Sequence, residues 1–311
     1  MTPEALDLSS LRPRLPSPLR EAEDERFGRH GVRLLLKRDD LIHPDLPGNK
    51  WRKLELNLRA AAGRAVLTFG GAYSNHLRAT AAAGRLLGFP TIGVVRGDEL
   101  AGRPLNPSLA RCAADGMVLR FVDRATYREK ARPQVLAALV AEAAASAGRD
   151  GTPDDVYVVP EGGSNALAVR GCVALGRELR EAADVVGVAC GTGGTVAGLA
   201  AGLGPAQRVI GFPVLKGGFL GGGIRALQDA AFGAPAGDWT LDDRFHCGGY
   251  ARTTPELEAF AADFEDRHGM PVERLYVAKM LYGLTTLATE GAFPPGTAVA
   301  AVVTGQPDSA R

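Results

Sequence analysis

Val185-Val-Gly-Val-Ala-Cys-Gly-Thr-Gly-Gly-Thr-Val-Ala-Gly-Leu-Ala-Ala-Gly202 is the stretch on which the fold turns. It lies in a run without charge between Asp184 and Arg208, long enough to suggest a membrane span. Gly187, Gly191, Gly193, Gly194, Gly198, Gly202 and Gly204 interrupt that run. Each would weaken a continuous helix by about 1 kcal/mol relative to alanine. A β-branched strand, a glycine turn and a helix of small residues fit better, with the strand predicted over 185–189 and the helix over 195–203.

Outward from this unit the same rhythm recurs. Short β-rich runs are predicted at 32–37, 65–69, 91–95, 117–122, 156–159, 208–213 and 298–303. Segments of helical period separate them at 50–62, 76–87, 104–115, 132–147, 167–179, 255–268 and 280–289. A short run surrounds 275–277. Repeated β-α-β units imply parallel sheets with helices on both faces, and such sheets bind ligands at the carboxyl ends of their strands. Several of those ends run straight into Gly-rich or Ser/Asn turns.

Composition narrows the function classes. The 311 residues suffice for one large or two medium domains. Lys and Arg total 36 against 35 Asp and Glu, a net charge of +1 that offers no broad attraction for nucleic acid or anionic membrane. Cys112, Cys172, Cys190 and Cys247 are too dispersed for a zinc site or a disulfide framework, and no two histidines sit at metal-ligand spacing. A reduced, cytoplasmic, metal-free protein is expected. Residues 1–20 carry four prolines and no apolar core, so neither a signal peptide nor a presequence helix is expected there.

Three turns hold candidate chemistry. Cys190-Gly-Thr-Gly-Gly-Thr195 joins a strand to a helix, where backbone N–H groups and the helix dipole favour an anion. A dinucleotide would need a small residue at Val196 and an acid after Ile210-Gly-Phe-Pro213; both are missing, as is a Walker lysine. A single phosphate fits better. Gly70-Gly-Ala-Tyr-Ser-Asn-His76 places Ser74 and Asn75 where they can cap a helix or meet polar ligand groups. Gly48-Asn-Lys50 places an amine in a first helical turn, where the dipole disfavours the ammonium form and suits a nucleophile. Only six lysines occur in the chain. An amine and a phosphate cradle on an α/β chain together suggest pyridoxal 5'-phosphate.

The sequence resembles the fold-type II pyridoxal-phosphate enzymes, and within them the 1-aminocyclopropane-1-carboxylate deaminase/D-cysteine desulfhydrase family. Eight pieces carry the resemblance in family order: Lys37-Arg-Asp-Asp-Leu41, Gly48-Asn-Lys-Trp-Arg-Lys-Leu54, Ser74-Asn-His76, Glu161-Gly-Gly-Ser-Asn165, Gly191-Thr-Gly-Gly-Thr195, Gly249-Tyr250, Leu275-Tyr-Val-Ala-Lys279 and Val303-Thr-Gly305. The resemblance implies a two-domain α/β fold like that of the tryptophan synthase β subunit, with the cofactor in the cleft. The large domain is expected at 1–53 and 162–311, with the small domain inserted at 54–161. It further implies that Lys50 bonds the cofactor covalently. Cys190, Gly191, Thr192, Gly193, Gly194 and Thr195 would hold the phosphate, Asn75 the phenolic oxygen, and Thr304 would lie near the ring nitrogen. Asn49, Ser74, His76, Tyr250 and Tyr276 would meet the substrate, with Lys50, Ser74 and the two tyrosines catalytic. Asp39 and Asp40 are read as fold-holding.

Position-by-position differences favour one branch. The deaminase branch carries Glu after the second tyrosine; here Val277 stands there, with Thr304 in the last turn. The resemblance therefore implies a weakly protonated ring, suited to β-elimination of a good leaving group from D-cysteine or a similar small amino acid. Tyr73, Val277 and Gln306 depart from the desulfhydrase pattern and bear on substrate identity. Ring opening of 1-aminocyclopropane-1-carboxylate is the rival activity, and a non-catalytic phosphate- or amino-acid-binding module the rival class. A homodimer is the family expectation.

Overall fold

The computed structural model describes residues 7–46, 48–146 and 152–307. Its ten strands are β1 Leu19–Ala22, β2 Arg33–Lys37, β3 Ala65–Gly70, β4 Thr91–Arg96, β5 Val118–Val122, β6 Val156–Val159, β7 Val185–Cys190, β8 Arg208–Pro213, β9 Asp238–Leu241 and β10 Ala298–Val302. The chain divides into a smaller unit, Pro44–Asn165 with the segment up to Arg12, and a larger one, Pro13–His43 with 166 onwards. Helix Lys50–Ala61, which is continuous through the expected bound at 53/54, lies whole in the smaller unit, and that unit runs past the expected bound at 161/162 to Asn165.

The smaller unit holds a four-stranded parallel sheet ordered β5-β4-β3-β6. The larger unit holds six strands ordered β1-β2-β10-β7-β8-β9, all parallel except the β1–β2 pair. Every residue of β3, β7 and β10 is buried, as expected of strands covered on both faces. Parallel pairing sends β7 and β10 out at one edge, so the turn after Cys190 and the turn at Thr304 leave adjacent strands side by side.

The uncharged run becomes β7, a turn and the helix Gly194–Gly202. Its small residues have a packing reason. A methyl group on Gly198 would overlap Val169 O and lie 2.6 Å from Cys172 Cβ, so this helix meets helix Ala166–Leu179 backbone to backbone. Among the described residues no helix is long and apolar enough to cross a membrane.

Several elements differ from or escape the sequence pattern. β1 and β9 are four-residue edge strands with little alternation to read. Helix Leu220–Phe232 starts inside a glycine cluster and is held by buried Leu220, Ile224, Gln228 and Ala231. The run at 275–277 is a helix start. The Glu273 carboxylate accepts the N–H groups of Leu275, Tyr276 and Val277, at 2.7, 2.7 and 3.2 Å, and helix Val277–Thr289 begins three residues earlier than its periodicity predicts. The expected helix at 132–147 is observed over Pro133–Ser146, and its last expected residue, 147, lies outside the described residues.

The motif 37–41 is structural in its contacts. Lys37 Nζ pairs with Glu178 at 2.6 Å and donates to Ser17 O, while Ser17 Oγ donates to buried Asp39. Asp40 accepts from Arg38 Nε and Nη2 (2.8 and 2.7 Å) and from Gln306 Nε2 at 3.0 Å. Its own N–H donates to Val303 O, so this cluster fixes the exit of β10 that leads to Thr304.

A buried ion pair sets an acid limit on stability. Burial works to raise the Asp24 carboxyl, but hydrogen bonds from Arg26 (2.8 and 2.5 Å) and His268 (3.0 Å) outweigh it and leave the pKa at about 2. The folded state therefore binds this proton less readily than the unfolded chain, whose carboxyl titrates near 3.8. The stabilisation, about 2 kcal/mol, is present above that value and vanishes as pH falls through 2. Asp24→Asn is expected to lose it at pH 7 and to flatten the stability profile between pH 4 and 2. Denaturant melts across that range check this; parallel profiles for both proteins would refute it.

Candidate active site

In the smaller unit three loops meet at the carboxyl end of the sheet. Asn49 precedes helix Lys50–Ala61 and is 2% exposed, and Lys50 is its first, half-buried residue. Lys50 Nζ lies 3.4 Å from Asn49 Oδ1. One turn on, buried Lys53 donates to Ser164 Oγ at 2.7 Å, joining this helix to the turn after β6. Asn57 and Asn165 exchange amide hydrogen bonds of 3.2 and 2.7 Å, and Tyr157 Oη also donates to Asn57.

The turn after β3 is shaped by sterics. A methyl on Gly70 would lie 2.6 Å from Ser74 Cβ and Oγ, so only glycine lets the chain fold back there. Ser74 caps helix Asn75–Leu87 by accepting from Leu77 N at 3.3 Å, and Asn75 is the first helical residue, half-exposed. Tyr73 is 55% exposed.

His76 turns inward. Its Nε2 lies 2.7 Å from Thr68 Oγ1, whose single proton is given to Val159 O at 2.8 Å. Thr68 must then accept from His76, which fixes the Nε2–H tautomer. His76 Nδ1 is left as a buried lone pair without a hydrogen-bond partner among the described residues, and a methyl on Gly163 would lie 3.3 Å from it. Burial pushes the His76 pKa well below the usual value, and the Lys53 and Lys50 charges add to the shift. Nitrogen chemical shifts of the apo protein are expected to show this tautomer without titration from pH 8 to 6. A protonated ring at pH 6 would contradict the hydrogen-bond assignment.

In the larger unit the Gly191–Thr195 turn follows β7. Gly193 has φ +81°, and a methyl there would lie 2.5 Å from Ile224 Cγ1. The N-cap of helix Gly194–Gly202 is Gly193, which has no side chain to cap with, and no acid occupies the first turn, in contrast to the helices capped by Ser74, Asn106, Asp123 and Thr254. First-turn N–H groups behind a glycine N-cap are a donor set that suits a phosphate. Cys190 presents only backbone to this turn. Its thiol is buried on Val188 O, and burial raises its pKa to about 12.

Two tyrosines stand beside the turn. A methyl on Gly191 would lie 3.3 Å from Tyr276 Cε1 and 3.4 Å from Oη, and the Tyr250 and Tyr276 rings meet edge-on at 6.2 Å. Val277 is fully buried in the core and brings no polar atom to the site. Each unit thus gathers its own share of the expected residues: Asn49, Lys50, Ser74, Asn75 and His76 in one, and residues 190–195, Tyr250, Tyr276 and Thr304 in the other. Sequence reasoning did not find the Thr68 link to His76 or the capping by Glu273; neither carries a motif. Among the described residues no group of three or more His, Cys, Asp and Glu is arranged to hold a metal ion.

Comparisons with known proteins agree with this chemistry. The family described as pyridoxal-phosphate dependent enzyme matches residues 12–305. A bifunctional D-cysteine desulfhydrase/1-aminocyclopropane-1-carboxylate deaminase of Arabidopsis thaliana is 30% identical over 283 residues, 84% of this chain and 69% of that protein. The D-cysteine desulfhydrase of Klebsiella pneumoniae is 29% identical, covering 88% of this chain and 87% of its own. A crystal structure of an ACC deaminase homologue superposes with a TM-score of 0.77 at 27% identity, covering 98% and 95% of the two chains. Threonine deaminase isoform 2 of Solanum lycopersicum shares the fold, with a TM-score of 0.67 at 17% identity over 97% of this chain and 82% of its own. A glycine turn opening one helix, a lysine opening another, and matches over nearly the whole chain lead to one conclusion: the chain is a fold-type II pyridoxal-phosphate-dependent enzyme and belongs to the 1-aminocyclopropane-1-carboxylate deaminase/D-cysteine desulfhydrase family.

Proposed function

We propose that this enzyme is a deaminating lyase that removes the β-substituent of D-cysteine or a similar small amino acid, giving pyruvate, ammonia and sulfide. The observation that carries the choice within the family is Val277. The residue after the second tyrosine is apolar and core-buried, and the neighbouring acid, Glu273, is taken up by three backbone N–H groups. Thr304 then offers only a hydroxyl to a ring nitrogen.

Bound pyridoxal phosphate supplies the electron sink for negative charge at Cα. The protein's own groups do the rest. The first-turn N–H groups of helix Gly194–Gly202, with Thr192 and Thr195, would hold the phosphate. Asn75 would donate to the phenolic oxygen. Lys50 would be the covalent anchor, and its Nζ the base for the Cα proton. Ser74, Asn49 and the backbone N–H of His76 receive the substrate carboxylate; the His76 ring, turned onto Thr68, holds the loop. Tyr250 or Tyr276 gives a proton at Oη to the departing sulfur. Water completes the balance: cysteine and water become pyruvate, ammonia and hydrogen sulfide.

The test is product analysis after incubation with D-cysteine, L-cysteine, D-serine and 1-aminocyclopropane-1-carboxylate. Pyruvate with sulfide from D-cysteine is the expected result. 2-Oxobutyrate from the cyclopropane substrate, with no pyruvate from the others, would replace this reading by the deaminase one. A homodimer in the cytoplasm completes the proposal, checked by sedimentation velocity and cell fractionation.

A further inference from the structure

Lys279 stands in the first turn of helix Val277–Thr289, three residues after Tyr276. A cation there opposes the helix dipole, and burying an ammonium is costly unless its donors are satisfied. Lys279 is nevertheless 0% exposed. Its Nζ donates to His246 O at 2.9 Å and to Gly249 O at 3.0 Å. Burial lowers its pKa, while Cys247 and Glu273 work in the opposite direction.

Those two carbonyls are not arbitrary acceptors. His246 O also receives Gly249 N at 3.0 Å, and Gly249 O receives Arg252 N at 3.4 Å, so they close two successive turns. Within these turns Cys247, Gly248, Gly249 and Ala251 have φ of 52°, 87°, 122° and 57°. Left-handed backbone at two non-glycine residues persists only where surrounding contacts over-determine it. Tyr250 sits in the middle of this segment, its ring against Tyr276.

We propose that Lys279 is a positioning residue for Tyr250, its ammonium tying residues 246–252 to the helix that begins beside Tyr276. The inference rests on the reading that Tyr250 serves proton transfer. The tie itself is a separate structural claim.

The experiment is a double-mutant cycle on the holoenzyme with a parallel exchange measurement. Lys279→Met is expected to lower kcat about 30- to 100-fold with KM changed less than about threefold, since a small misplacement of a reacting group costs rate rather than affinity. Tyr250→Phe is expected to cost about 100-fold, and Lys279→Met added to it nothing further. Lys279→Arg, which keeps donors, should recover part of the loss. If Lys279→Met does not fold, Lys279→Gln takes its place in the cycle. Independently of turnover, amide exchange at Gly249 and Arg252 should accelerate at least about tenfold, while helix Val277–Thr289 keeps its protection. Multiplicative losses in the double variant would overturn the action through Tyr250, and unchanged exchange would overturn the tie. Accelerated exchange in a protein whose wild type eliminates nothing would uphold the tie and discard the proposed reaction instead.

Discussion

Replacing Lys50 with alanine is expected to lower turnover at least about a thousandfold and to remove the visible absorbance of lysine-bound pyridoxal phosphate. A thousandfold corresponds to about 4 kcal/mol of barrier, a reasonable loss when one amine serves as both covalent anchor and Cα base. Lys50 opens helix Lys50–Ala61 beside buried Asn49, in a unit where the nearby lysine, Lys53, is already committed to Ser164 Oγ. Lys53→Ala should therefore keep the absorbance, and Lys50→Arg should lose it, because a guanidinium does not replace the amine in this bond. Spectra before and after D-cysteine, with turnover of each variant, check the assignment. Full turnover of Lys50→Ala would move the anchor elsewhere.

The second large effect concerns the phosphate turn. Gly193→Ala places a methyl 2.5 Å from Ile224 Cγ1 and asks an L-residue to hold φ +81°. The left-handed conformation costs about 1–2 kcal/mol and overpacking a further 1–3 kcal/mol. The chain can relieve both only by reshaping the turn, which withdraws the N–H groups from their common focus. Cofactor affinity is expected to fall by about a hundredfold or more, each factor of ten being about 1.4 kcal/mol. The apo protein should also melt lower. Thr192→Ala leaves the backbone path intact and should weaken binding far less. Titration of both apo variants with pyridoxal phosphate, followed by absorbance, separates them; equal affinity for wild type and Gly193→Ala would remove this turn from the phosphate site.

Much of the fold was legible because it is local. The β-branched run 185–190, the glycine turn and the small-residue helix are written in consecutive residues, and so are β6, β8 and helix Pro255–His268, whose bounds match their sequence patterns. The edge strands β1 and β9 were not legible: four residues with mostly exposed faces carry no period. The start of helix Val277–Thr289 was misplaced because a side-chain cap, not apolar spacing, decides it.

The candidate site divides in the same way. The sequence by itself gives the candidate residue types, an amine opening a helix, a glycine turn after a strand, a Ser-Asn pair and two tyrosines in family order, since each lies in a short motif. Only the tertiary structure decided where side chains point and what holds them. It turned His76 onto Thr68, buried the Cys190 thiol and Val277, and set Lys279 on carbonyls 30 and 33 residues away. It paired Asn57 with Asn165 across 108 residues. Burial and hydrogen-bond partners arise from contacts between distant segments, and desolvation then sets which groups stay neutral, as it does for His76 and Cys190.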